Sequence, residues 1–241
     1  MRLREFAQPA QVFQERRTKY VHTFAFRAIL DVLLLWSAVA QAAQPLSANQ
    51  IILAVANEYR DGGGFNWGEG SGTPEEIRFK GSRILSKGKD GTYCCGFTFA
   101  VAMKAASRAG LLEDKSVAQI RRFQREWYGA TPASADRQCA LAVETLKIGK
   151  EVKLAEAQPG DFMRLWRTTC GHNVILLRWI VEGGKRVGIE YRGTQGSTDG
   201  IGNATEYFKG ARGHDGTIDI KETHVARLLN RPATVPESAK K

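Results

Sequence analysis

A change of hydrophobic period near residue 150 limits the fold more than any other feature of the chain. Before it, apolar residues recur at helical spacing; after it, they alternate as in strands. Ser47 can cap a helix through Asn57 to Arg60, with Ile51, Ile52, Val55 and Tyr59 on one side and Asp61-Gly62-Gly63-Gly64 as its stop. Residues 61–92 are glycine-rich and polar, with a short helical turn expected after Thr73-Pro74-Glu75-Glu76. Thr92 is the expected cap of a helix that begins near Tyr93 and stops at Gly110, and helices over 116–128 and 135–147 follow. Asp161 to Arg167, Asn173 to Val181 and Arg186 to Arg192 then read as strands, the last two joined by a Gly183-Gly184 hairpin turn. Helices first and strands after, without β-α-β alternation, predict an α+β fold with N-terminal helices packed on a small antiparallel sheet.

Residues 1–42 have the layout of an export signal: Arg16, Arg17, Lys19 and Arg27, then an apolar stretch from Ile29 to Trp36, then small residues up to Ala42. An uncleaved anchor is the alternative, although the apolar run is shorter than the ~20 residues of a membrane span. Residues 44–229 would form the folded domain and 230–241 a disordered tail. Six of the 35 basic and three of the 25 acidic side chains precede residue 43, leaving +7 of the chain's +10. A basic exported chain suits an anionic cell wall or membrane surface. No arginine-rich block or zinc-finger spacing points to nucleic acid, and the oligomeric state is open. No metal or other cofactor is expected, because the chain lacks C-x-x-C and His22, His214 and His224 are scattered. Of the four cysteines, Cys139 and Cys170 are the plausible disulfide pair in an oxidising compartment.

The vicinal Cys94 and Cys95 fall where a glycine loop (88–93) passes into a helix. Unpaired N–H groups and the helix dipole there favour the thiolate, the nucleophilic form. Both cysteines can face inward, so periodicity leaves the choice between them open. His172 opens a strand some eighty residues later, and a Cys on a helix start with a His on a strand are the two halves of a papain-like cysteine hydrolase.

Four fragments carry a family resemblance. Tyr93-Cys94-Cys95-Gly96-Phe97 resembles the D-C-S-G-L helix start of the NlpC superfamily of cell-wall cysteine peptidases. Phe65-Asn66-Trp67-Gly68-Glu69-Gly70 is similar to its Y-x-W-G-G element, Gln158-Pro159-Gly160-Asp161-Phe162 to its Q-P-G-D-L strand entry, and Gly171-His172-Asn173-Val174-Ile175-Leu176 to its G-H-V-G-I-Y strand. The resemblance covers about residues 50–200 and implies Cys94 as nucleophile and His172 as general base. Phe65 replaces a tyrosine and Tyr93 an aspartate, which changes the usual substrate contacts. Trp67 and Tyr93 could line the substrate groove.

The histidine needs a partner to hold its tautomer. If Gly183-Gly184 is a two-residue turn, Glu182 faces Lys185 and His172 faces Gln195, with Tyr191 on the same face and Glu190 on the other. Gln195 is the favoured orienting residue. Glu190 is the rival, near where the related CHAP amidases carry a glutamate, and a bulge near Gly188 would turn it inward.

The resemblance and the export signal together imply a periplasmic or extracellular hydrolase acting on a peptide or amide bond of peptidoglycan. Alternatives are a non-catalytic wall-binding module on the same fold, and an acyltransferase or lipid hydrolase using the same Cys/His pair.

Overall fold

In the computed structural model of the protein, residues 45–68 and 70–231 are described. The expected export signal and the tail beyond Arg231 lie outside them. Ser47 caps helix α1 (Ala48–Glu58) through a reciprocal capping box with Gln50, and Ile52, Val55 and Ala56 form its buried stripe. Ser116 does the same with Gln119 for helix α3 (Val117–Trp127). Between them runs helix α2 (Cys94–Arg108), whose small buried residues Ala100, Ala102, Ala105 and Ala106 allow close packing on α1 and on the sheet.

Three local expectations are corrected. Thr92 does not cap α2: Tyr93 occupies the cap position without a side-chain bond, and the Thr92 hydroxyl turns to Gly64 O and Thr194 Oγ1. The turn expected after Thr73 is instead a hairpin of strands β2 (Ile77–Phe79) and β3 (Ser82–Leu85). Lys80 and Gly81, both at positive φ, make the two-residue turn that matches strand twist. The helix expected over 135–147 is α4 (Cys139–Leu146), preceded by a 3-10 turn at Pro132–Ser134. Gln138, at φ 34°, breaks the chain between them.

The sheet is antiparallel and seven-stranded, larger than the three strands legible in sequence. Its members are β1 (Gly62–Gly63), β4 (Gly149–Val152), β5 (Phe162–Trp166), β6 (Gly171–Glu182), β7 (Lys185–Gln195), β8 (Gly200–Tyr207) and β9 (Asp219–Leu228), in the order β1-β8-β7-β6-β5-β9-β4. Strands β5 to β8 form a meander, and β9 returns to the far side of β5. Gly183 and Gly184 form the β6–β7 turn, both at positive φ. Asn230 and Arg231, assigned by sequence to a loose tail, are tied down: Asn230 Oδ1 accepts from Ala48 N, and Arg231 donates to Gly110 O.

Two apolar layers flank the sheet. On one face Phe162, Ile175 and Ala226 meet the helices around Phe97, Phe99, Phe123 and Trp127. On the other, Met163, Leu165, Val174, Leu176, Ile189 and Tyr191 pack with Phe208, Ile218 and Val225. The Gln158–Asp161 corner locks β5 to α1. Fully buried Asp161 accepts from Asn49 Nδ2, Gln158 N and both Nε and Nη2 of Arg227, and Gly160 presses within Cβ range of Asn49 O. That corner sets where β5 and β6 begin relative to the helices, and so places the site.

Candidate active site

Cys94 is the first residue of α2. The first recorded helical bond is Phe97 N to Tyr93 O, so the N–H groups of Cys94, Cys95 and Gly96 have no acceptor among the described residues. A loop presses on this helix start. Tyr93 N donates to Gly72 O, and a Cβ on Gly96 would stand 2.1 Å from that carbonyl. Only glycine fits there. Gly72, at positive φ, similarly leaves its space to the Tyr93 ring.

His172, 4% exposed, lies at the start of β6 with its ring edge-on to Tyr191, centroids 5.6 Å apart. The Cys94 thiol is held well below its ordinary range first by the neighbouring Cys95 thiol, then by the His172 ring with which it shares a cleft, and then by the Asn173 N–H. Burial opposes them and loses. Cys95 moves the other way, because the Cys94 sulfur stands 3.9 Å away and because the half-buried thiol is poorly solvated. Its sulfur also accepts from Asn173 Nδ2 at 3.3 Å and has Gln138 Oε1 at 3.7 Å. The vicinal pair thus divides in acidity, Cys94 shifted toward the thiolate and Cys95 away from it.

Neither candidate orienting residue bonds to His172. The β6–β7 register runs Glu182↔Lys185, slips by one residue over Ile180↔Gly188 to Arg178↔Glu190, and slips back at Leu176↔Tyr191 and Ile175↔Arg192. The two bulges cancel, so Tyr191 shares the histidine's face, and Gln195 shares a cleft with it. Gln195 Oε1, however, accepts from Tyr191 Oη at 2.6 Å and Arg167 Nη2 at 3.2 Å. Arg167 and Tyr191 also bind Glu206. Glu190 pairs with Arg178 instead. His172 Nε2 is buried without a partner among the described residues.

A cleft of about 300 Å³ opens beside Cys94, lined by Trp67, Tyr93, Tyr128, Gln138 and Arg164, with Cys170 at its edge. A smaller lobe of about 110 Å³ continues over Phe65, His172 and Gln195. Trp67 is 74% exposed and both lobes reach it, as expected of a groove wall. It is brought there because Asn66 N bonds Thr92 O, laying this segment alongside the chain entering α2. Tyr93 packs edge-on against Tyr128, and burial pushes its hydroxyl up to about 12. Cys139 and Cys170 are not joined. Cys139 is buried behind the cleft, its thiol pushed up to about 12 by burial, whereas Cys170 borders the cleft.

Sequence reasoning passed over Gln138, Asn173, Cys170 and Arg164. For Arg164 a signal existed: it interrupts the apolar strand Phe162-Met163-Arg164-Leu165-Trp166. Among the described residues no group of His, Cys, Asp and Glu is arranged to hold a metal ion, and no helix is long and apolar enough to cross a membrane. Comparison of the chain with protein-family models, curated proteins and solved structures finds no match.

Proposed function

We propose that the protein is an exported papain-like cysteine hydrolase that cleaves an amide bond of peptidoglycan, as a stem-peptide endopeptidase or an amidase. One observation carries the reading: a thiol at a helix N-terminus that shares a cleft with an imidazole, its acidity raised first by the Cys95 thiol and then by that ring. Cys94 thiolate attacks the amide carbonyl, forming the C–S bond. The N–H groups at the start of α2 receive the oxyanion. His172, holding the thiol proton, passes it to the leaving amine as the C–N bond breaks, and water then releases the acyl group with His172 as base. The wall substrate is supported by the four NlpC-like fragments in order and by the positive charge, which suits an anionic polymer.

The test is turnover of purified wall, read by mass analysis of the released muropeptides. Cys94→Ala should abolish it, His172→Ala should lower it by about 10²–10⁴-fold, and Cys95→Ala should retain measurable turnover. An active Cys94→Ala protein would end the assignment. The partnerless His172 Nε2 favours a second reading, a wall-binding module without turnover. In that case wild type releases nothing, and Cys94→Ala binds wall as well as wild type does.

A further inference from the structure

The cleft beside Cys94 contains a buried cation that the proposed reaction does not use. Arg164 is 6% exposed and lines the cleft from β5. Among the described residues its side chain makes one hydrogen bond, from Nη1 to Leu165 O at 3.0 Å, and its guanidinium stands 5.4 Å from the Trp166 ring centroid. No carboxylate pairs with it among the described residues, and Nε is buried with no acceptor. Nε and Nη2 together form the side of a guanidinium that grips a carboxylate with two parallel bonds. Among the described residues no protein group occupies that side.

The chain makes room for this arrangement. A Cβ on Gly171 would fall 1.2 Å from Arg164 Nη1, so the residue before His172 must be glycine for the guanidinium to lie where it does. Neighbouring anions are committed elsewhere: Glu151 binds Arg137 and His224, and Asp161 binds Arg227. Arg164 lines the same cleft as Cys94 and Cys95, which places its charge within the space where a substrate of Cys94 would lie. A buried guanidinium left without a counter-ion is costly unless a ligand completes it.

We propose that Arg164 is a substrate-binding residue that grips a free carboxylate close to the bond attacked by Cys94, so that the preferred substrate is a peptide with an ionised carboxyl group beside the scissile amide. This rests on the cleft reading of Cys94, but its test does not require turnover. The full chain is alkylated with iodoacetate or with iodoacetamide, and the rate at Cys94 is read by peptide mass spectrometry. The two reagents deliver nearly the same group, and only one carries a carboxylate.

The iodoacetate-to-iodoacetamide ratio at Cys94 should exceed that of the same cysteine in urea by about tenfold, the effect of one charge-assisted contact. Arg164→Met should remove the excess, and Arg164→Lys should keep part of it. Should Arg164→Met not fold, Gly171→Ala serves instead, since it displaces the guanidinium and keeps its charge; it too should lower the ratio. A native ratio equal to that in urea, or one unchanged in these variants, overturns the proposal. Because it is a ratio, it reads Arg164 even if Cys94 reacts no faster than an ordinary thiol. Slow labelling at Cys94 would count against the hydrolase reading alone.

Discussion

Asp161 and Arg164 are buried charges three residues apart at the start of one strand, and they are treated in opposite ways. Asp161 has four donors on its two oxygens, drawn from α1, its own corner and β9. Arg164 has one carbonyl and a vacant edge. A charge satisfied from all sides holds elements together; one left incomplete beside a cleft has stability to recover from a ligand. Their glycines differ in the same sense. Gly160 is backed by the Asn49 backbone, which does not yield, whereas Gly171 is backed by the tip of the Arg164 side chain.

The sharpest way to break this contrast is to remove each charge. Asp161→Ala strands Arg227 and two other donors and should cost about 3–5 kcal/mol in urea unfolding. Arg164→Met removes an uncompensated charge and should fall within about 1 kcal/mol of wild type, on either side. Equal losses would mean that Arg164 is structural. Next come the glycines. Gly160→Ala, at positive φ and 2.5 Å from a backbone oxygen, should cost about 1–3 kcal/mol, and Gly171→Ala less, measured by thermal unfolding.

The smallest effect concerns the vicinal thiols, another matched pair with opposite fates. Folding lowers the Cys94 pKa, so the native protein should keep reacting with iodoacetamide at Cys94 below pH 8.5, where the same cysteine in urea fades. The sign for stability follows. The ionised Cys94 contributes above the unfolded value of about 8.5, and that contribution is lost as pH falls through the lowered native value. Cys95 should show the reverse, reacting only at higher pH than in urea. If both thiols titrate alike, the division of roles between them fails.

How much was legible follows from how local each signal is. The caps of α1 and α3 are made within four residues, and the Gly183-Gly184 turn within two. All three are readable from sequence. Strand β8 was missed because Gly200, Gly202 and Asn203 carry little β signal, and β4 because four residues are too few for a period. The helical turn expected at Pro74 failed because Thr73 and Gly88 bond across the loop and Thr73 bonds Ser86 O, committing the segment to a hairpin. The expected β6–β7 register returns at Leu176↔Tyr191 only because two bulges cancel, which no pattern of alternation foretells, and the pairing of these strands ends at Ile175↔Arg192, short of His172 and Gln195.

By itself the sequence determined the α+β order, the helix start that carries two thiols, and the strand that carries His172, because each depends on neighbours along the chain. Tertiary structure alone decided which thiol is shifted toward ionisation, where the Gln195 carbonyl goes, and that Arg164 is left incomplete among the described residues. The physical reason is that donors and acceptors for those groups come from distant segments. Cys94 and His172 line one cleft although seventy-eight residues of chain separate them, and a buried charge is defined by which partners fail to arrive as much as by those that do.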